Sequence, residues 1–360
     1  MPTTYFSIAA GFSDSIPHQI VRTNGDRIYA FAPAAYSGII HAYWSTQVGL
    51  PSALTGSTSV DAGANVLSLD APYDGQNTVH VLALLNNGNL RDYPFNVVSN
   101  TFGAYTTLAS NAQTISGDYQ GSAGVSGAYD SGGTLHIVYR NNANHIVYWN
   151  TGTQLDTGTS QHPVVAVSPL DNSVTVAWLQ TSDNTIRART LSGGVWGSIE
   201  LVSSAPAFVS TSGGASIDQS PSLVIDGNGV RHLAYIENWR VTSPYDYGRI
   251  HYVRNSGSGW VDTYIGSYTH DPALALSGGN LYLFGHGWAL NAAPCTSSDD
   301  LCVARLNANG SWTWQLFAQH TTQSFDCSAS TKSGQVRPET LEILFYDENA
   351  GMLYYGRLTP

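Results

Sequence analysis

One pattern of residues recurs along the whole chain and limits its fold more than any other feature. An apolar strand bounded by Pro or Gly leads into a Gly-containing turn; a strand carrying His or an aromatic follows, and then a Tyr-rich strand. The plainest copy runs through Gln219–Asp226, Gly229–Tyr235 and Arg249–Val253 and closes on Ser256–Trp260. One such unit cannot bury both of its faces, so neighbouring units must stack on each other.

First strands of seven units are legible near His18–Val21, Val66–Leu69, Gly124–Gly127, Pro163–Val167, Pro221–Val224, Pro272–Leu276 and Phe325–Ser328. Second strands follow at Arg27–Phe31, Thr78–Leu82, Thr134–Tyr139, Ser173–Trp178, Val230–Tyr235, Asn280–Phe284 and Thr340–Phe345. All are short, β-branched or aromatic, and preceded by Gly, Asn or Asp turn signals. Seven units in 360 residues give about 51 residues each, close to the length of known propeller blades. The pattern therefore predicts an all-β chain, a seven-bladed β-propeller forming a single domain over residues 1–360. The last unit has only three obvious strands, and Thr3–Ile8 is a strand without a unit, so the N-terminal strand is expected to join the last blade and close the ring.

Composition agrees. Charged residues make up 11%, Gly numbers 36, and Tyr and Trp number 21 and 9, which suits short strands and tight turns. No segment has helical periodicity, and no apolar run approaches the ~20 residues of a membrane span. A net charge of −11 argues against nucleic acid as a partner. Thirteen of the fourteen basic residues are Arg, the exception being Lys332. Arg binds carboxylates in a bidentate fashion, which suits either salt bridges or an acidic ligand.

Cys295 and Cys302 bracket a six-residue loop that a disulfide could staple, leaving Cys327 over. A metal site there with Asp299 and Asp300 lacks CxxC or His-rich spacing. No metal centre or cofactor is expected, beyond room for a structural calcium. The low charge, the cysteine pair and the abundant Ser, Thr and Asn favour a secreted, extracellular protein; Met1-Pro2 opens no leader pattern, so the expectation is either a signal peptide not present in this chain or another route of export.

In a propeller, function gathers at the mouth that carries the second-to-third-strand loops. Most of these are short here, such as Asn86–Asn89 and Asn141–Asn144. Two are long: Glu237 to Gly248 in blade five, and Gly285 to Cys302 in blade six. Long aromatic-rich loops in a compact domain point to function. With the segment Ser203–Ile217 they are expected to bring Asp218, Arg249, Tyr247, His270 and Asp271 into one cleft as a candidate catalytic set. Glycoside cleavage needs two carboxyls, and lyase chemistry needs a base with a cation to neutralise a uronate. Gln219, Trp239, His286 and Trp288 on the same rim, and His18 and His162 at equivalent first-strand starts, are the expected substrate-binding residues. His80, His136 and His232 occupy one position in three repeats, which assigns them to architecture.

The stretch Pro221–Tyr235 and the ending Asn255–Trp260 resemble the repeats of bacterial sialidase-like extracellular propellers. The resemblance is loose over all seven units and close only in blade five. The Asp-box pattern of those repeats is missing; Gly193–Trp196, Gly257–Trp260 and Asn309–Trp312 keep only its ending. No arginine triad or Tyr/Glu nucleophile pair can be placed, so sialidase activity is not implied. The expectation is a carbohydrate-active propeller, hydrolase or lyase, acting on an acidic glycan near blades five and six. The alternative is a glycan-binding, lectin-like or structural adhesion module without turnover. A single unequal mouth favours the first.

Overall fold

The computed structural model describes residues 3–11, 18–34, 37–113, 124–207, 220–242, 245–289, 295, 300–318, 328–329, 340–347 and 350–359. For 238–242, 245–247, 266–271, 286–289 and 328–329 it describes the backbone path. These residues form an all-β, seven-bladed propeller with no helix among them.

The first strand, β1 (Thr3–Ala10), belongs to the last blade. Blade one is β2 (Gln19–Arg22), β3 (Ile28–Pro33), β4 (Ile39–Trp44) and β5 (Gly56–Asp61). Blade two is β6 (Val66–Asp70), β7 (Thr78–Leu85), β8 (Leu90–Asn96), β9 (Thr101–Phe102) and β10 (Thr106–Ala109). Blade three is β11 (Val125–Tyr129), β12 (Leu135–Arg140), β13 (Ile146–Tyr148) and β14 (Thr153–Gln154). Blade four is β15 (Ser160–Val167), β16 (Val174–Gln180), β17 (Thr185–Ser192), β18 (Val195–Trp196) and β19 (Glu200–Leu201). Blades five and six share one hydrogen-bonded sheet of β20 (Ser222–Ile225), β21 (Arg231–Thr242), β22 (Tyr245–Asn255), β23 (Trp260–Ser277), β24 (Asn280–Ala289), β25 (Leu301–Leu306) and β26 (Trp312–Ala318). Blade seven is β27 (Ser328–Ala329), β28 (Leu341–Asp347) and β29 (Met352–Leu358), completed by β1. The pairing runs from Thr3↔Leu358 to Ala10↔Met352, so the N-terminal strand closes the ring.

Strand alternation explains why the blades stack. Each sheet presents apolar side chains on both faces, and each face is buried against a neighbouring blade. The core accordingly divides into separate clusters between blades. Phe31, Ile40, Val79 and Phe95 lie between blades one and two; Leu82, Leu90, Ile137 and Val147 between two and three; Val138, Tyr148, Val176 and Trp178 between three and four. The clusters continue with Leu179, Ile186, Leu233 and Val253, then Ile236, Ile250, Leu274 and Leu283, then Phe284, Val303, Phe317 and Ile343. Ile20, Ile28, Leu344 and Tyr355, with Phe6 and Ile8 of β1 against them, complete the circle between blades seven and one. At about 25 cal/mol per Å² of apolar area buried, such interfaces supply most of the driving force for closure.

Polar contacts fasten the innermost strands to one another. Gln19 Nε2 donates to Leu69 O at 3.4 Å. Ser68 Oγ and Asp70 Oδ2 accept from the Gly124 and Gly127 N–H groups, each at 2.9 Å. Ser126 Oγ accepts from Val165 N at 3.3 Å, and Ser222 Oγ from Leu274 N at 2.9 Å. A Cβ on Gly127 would lie 2.8 Å from Leu82 and 2.9 Å from Pro72, so this approach of blade three to blade two requires glycine.

The recurrent histidines sit in a repeated bolt. His136 Nδ1 and His232 Nδ1 each lie 2.6 Å from a tyrosine hydroxyl one strand outward, Tyr148 and Tyr252. Their other nitrogens face Asp130 at 3.2 Å and Asp226 at 3.5 Å. Each tyrosine then meets the next blade's tryptophan edge-on at 5.2 Å, Trp196 and Trp312. In blade two the tyrosine is replaced by Asp92, 2.7 Å from His80 Nδ1.

The structure corrects the expected loops of blades five and six. Much of the segment between Glu237 and Gly248 is strand: β21 and β22 stay paired out to Thr242↔Tyr245. Likewise β23 passes from the outer edge of blade five into the inner position of blade six without leaving the sheet, pairing Ser267↔Ala289 and Ala273↔Phe284 with β24. Trp239 and Trp288 therefore lie on strands rather than loops, Trp239 at a bulge between Asn238 and Arg240.

Candidate functional site

Register and alternation bring six chemically active side chains to one face of blade five. Tyr235 pairs with His251 and Glu237 with Arg249 across β21 and β22. His251 pairs with Tyr264, and Val253 with Asp262, across β22 and β23. Residues two apart on a strand share a face, so Tyr235, Glu237, Arg249, His251, Asp262 and Tyr264 all point to the side that packs on blade four. A bulge in β23 beside Ile250 and His251 adjusts the reach of Tyr264 and Asp262. The chain leaving blade four crosses this face, with Ala207 bridging Glu237.

Asp262 is the buried anchor. Its Oδ1 accepts from His251 Nδ1 at 2.7 Å. Its Oδ2 accepts from Tyr235 OH at 2.6 Å, Ser204 Oγ at 2.7 Å and Ser204 N at 2.9 Å. Burial pushes its pKa up, but the bonds from His251, Tyr235 and Ser204 outweigh that and hold it down to about 2. Burial pushes the Tyr235 phenol up, and the Asp262 carboxylate adds to it.

His251 lies between two carboxylates, its Nε2 being 3.0 Å from Glu237 Oε2. Burial alone would lower its pKa; Asp262 and Glu237 together raise it above the ordinary value, favouring an imidazolium. Arg249 adds a second cation, 3.8 Å from Glu237 Oε2 and 5.4 Å from the centre of the Tyr264 ring. Exposure grades outward: Asp262 and His251 are 5% and 9% exposed at their side chains, Glu237 16%, Arg249 28%. Tyr264 is 47% exposed. A buried anion thus orients a charged imidazole, which meets a solvent-reaching carboxylate beside an arginine and an aromatic ring.

Of the residues expected from sequence, Arg249 is in this cluster. Tyr247, Trp239, His270, Asp271, His286 and Trp288 are placed by backbone alone. Tyr247 lies on β22 opposite Arg240, and His270 on β23 opposite His286. Their side chains lie outside the described set, as do Asp218 and Gln219 altogether. His18 and His162 do not line an open channel; both are buried. His18 stacks on Tyr346 of blade seven at 6.3 Å. His162 Nδ1 lies 3.4 Å from Ser220 Oγ, and burial, aided by Arg140, lowers its pKa to about 3. Cys295 and Cys302 form the disulfide expected from their spacing; Cys327 and Asp299 lie outside the described residues. Glu237, His251, Asp262, Tyr235 and Ser204 were not singled out from sequence as site residues.

At the other end of the blade-four/blade-five interface lies a cleft of ≈ 310 Å³ holding Glu200 and Arg231. Arg231 and Glu200 satisfy each other: Arg231 donates to Glu200 at 2.8 and 3.1 Å and stacks on Trp260, whose indole N–H also donates to Glu200, while Asp171 in the same lining accepts from Ser173. Among the described residues no group of three or more His, Cys, Asp and Glu is arranged to hold a metal ion, and no helix is long and apolar enough to cross a membrane.

No family model matches the chain, and no curated relative matches its sequence. Solved structures do match its ring. Hydrazine synthase of Kuenenia stuttgartiensis superposes with a TM-score of 0.59 at 8% identity, covering 99% of this chain and 98% of that one. BBS1N, in a complex with ARL6DN, gives 0.57 at 9% identity over 100% and 98% of the two chains. The polysaccharide lyase Uly1 gives 0.55 at 11% identity over 100% and 99%. At such identities the likeness establishes the propeller architecture, while the three descriptions differ too widely for the fold to choose a chemistry.

Proposed function

We propose that the protein acts on an acidic glycan at the blade-five cluster, and that its chemistry is lyase-type β-elimination rather than hydrolysis. The carrying observation is the disposition of carboxylates. Two-carboxyl glycoside hydrolysis needs two carboxyl groups free to act on the substrate. In the described cluster only Glu237 reaches solvent, because both Asp262 oxygens are occupied by His251, Tyr235 and Ser204. One open carboxylate flanked by two cations matches what elimination from a uronate requires.

In this reading Arg249 pairs with the uronate carboxylate and makes the adjacent C5–H more acidic. Glu237 takes the C5 proton. The electron pair forms a C4–C5 double bond, the C4–O bond breaks, and His251 gives its Nε2 proton to the leaving oxygen. The 3.0 Å contact between Glu237 and His251 then returns the proton to the imidazole and resets both groups. Asp262, Tyr235 and Ser204 are positioning residues that hold His251 charged and oriented. Asp218, Gln219, Tyr247, His270, Asp271, Trp239, His286 and Trp288, expected from the sequence, are the further residues to test as substrate contacts.

The polysaccharide lyase among the structural neighbours supports this reading only as a precedent for the ring. The repeat sequence of blade five supports a distant kinship with sialidase-like propellers, and the Cys295–Cys302 bridge fits an oxidising, extracellular setting.

The test is to incubate the full chain with a panel of uronate-containing polysaccharides and follow the ultraviolet absorbance of unsaturated uronates. Product is expected from at least one. Glu237→Gln and Arg249→Ala, checked for folding by circular dichroism, should lose about 100-fold or more of the rate. Binding without product from any polysaccharide would instead identify a lectin-like module, and undiminished turnover by Glu237→Gln would remove the cluster from the chemistry.

A further inference from the structure

A second, chemically different recess lies between blades two and three. The turn 86–89 joins β7 to β8, the segment 110–113 leads from blade two into blade three, and the turn 141–144 joins β12 to β13. Backbone bonds stitch all three together: Ala112 N to Gly88 O at 3.0 Å, Gln113 N to Arg140 O at 2.9 Å, and Asn142 N to Asn111 O at 2.7 Å. Asn86 N is fixed on Asn65 O at 2.9 Å. The result is a preformed cleft of ≈ 390 Å³, with Leu67 and Leu85 among its lining and a wall of Asn86, Asn87, Asn111, Gln113 and Asn142.

Two properties set its ligand. Among the described residues no Asp, Glu, Lys, Arg or His lines it, so none of them there neutralises an ion of either sign. Five side-chain amides lie along it, and those of Asn86, Gln113 and Asn142 have no hydrogen-bond partner among the described residues. Asn111 Oδ1 is held by Tyr139 OH at 3.2 Å, which orients that amide. An amide presents donors and an acceptor side by side, complementary to vicinal hydroxyls that each donate and accept. Its volume falls in the range of small-ligand sites, and Leu67 offers an apolar patch for ring C–H groups.

We propose that this cleft binds a neutral sugar unit, through its amides and independently of the blade-five cluster. The two sites divide by charge: Arg249 and His251 suit an anionic residue, the amide cleft an uncharged one.

The experiment titrates the full chain with methyl glycosides of galactose, glucose, mannose and fucose, read by saturation-transfer NMR and calorimetry. At least one should bind, weakened about three- to tenfold by Asn142→Ala or Asn86→Ala alone and further by the pair. Both side chains are exposed, so unchanged thermal midpoints are expected and separate lost binding from lost folding. Glu237→Gln should leave neutral-sugar binding intact. Absence of binding by all four glycosides, binding that survives the double variant, or binding abolished by Glu237→Gln would each overturn the assignment.

Discussion

Arg22 Nε donates to Glu342 Oε2 at 2.7 Å across 320 residues of sequence, and both side chains are fully buried. Tyr355 OH adds a 2.8 Å bond to Glu342 Oε1, and Arg22 Nη1 donates to Gly49 O at 3.1 Å. This is the seam where blade seven meets blade one. Removing Arg22 leaves Glu342 as an uncompensated buried charge, so Arg22→Ala should cost about 3–5 kcal/mol in denaturant unfolding, and Glu342→Ala should cost less because Asp26 Oδ1 still pairs with Arg22 at 2.5 Å. An apolar pair, Arg22→Met with Glu342→Leu, should cost much less than the sum. A double-variant loss equal to the sum of the two single losses would show that the pair does not act as a unit.

His162 predicts a pH effect on stability. Its pKa in the folded chain is lowered to about 3 from an ordinary 6.5. Between those values only the unfolded chain binds the proton, so stability falls as pH drops from 6.5 towards 3, by about 1.4 kcal/mol per pH unit at most. Chemical denaturation across that window should be flattened by His162→Asn. Asn also tolerates the left-handed backbone at this position, φ 53°, better than Ala would. An unchanged pH slope in His162→Asn would assign the effect elsewhere.

Asp262 holds His251 in its charged form. Asp262→Asn should lower the imidazole titration midpoint, measurable by nitrogen-15 NMR of the ring. His251 contributes stability that is full below its ordinary pKa and lost as pH rises through its raised one. The variant should therefore lose its alkaline decline in stability. Tyr235→Phe removes one of three donors on Asp262 Oδ2 and should cost about 1–3 kcal/mol. A His251 midpoint unmoved by Asp262→Asn would contradict the geometry.

The Cys295–Cys302 disulfide closes a short loop, and its loss by Cys295→Ser should cost roughly 2–3 kcal/mol on chain-entropy grounds. Thermal unfolding of wild type with and without reductant should reproduce the difference. A midpoint insensitive to reductant would mean that the sheet alone holds β25 in place.

The blades were legible because each first and second strand carries its own local signal. Pro221–Val224 and Val230–Tyr235 read as strands from alternation and turn residues, and they are β20 and β21. The link between blades five and six was not legible. The polar stretch from Ser267 to Asp271 looks like a loop, and only pairing with β22 and β24 makes it strand. Trp239 and Trp288 misled for the same reason, set among Asn, Gly and Pro. The Arg22–Glu342 pair has no local signature at all. The blade-five cluster did leave one: Tyr235 and Glu237 two apart on one strand, Arg249 and His251 two apart on the next. Strand register was needed to bring them face to face.

Ring closure carries a consequence for biosynthesis. Thr3 is made long before its partner Leu358. Until β29 is made the opening strand has no hydrogen-bonded partner, and its free edge waits, open to pairing with other nascent chains. Six blades can assemble by short-range contacts, but the final docking spans nearly the entire polypeptide and should be the slow step. Chaperone demand and aggregation during expression should therefore track the exposed N-terminal strand more than any blade core.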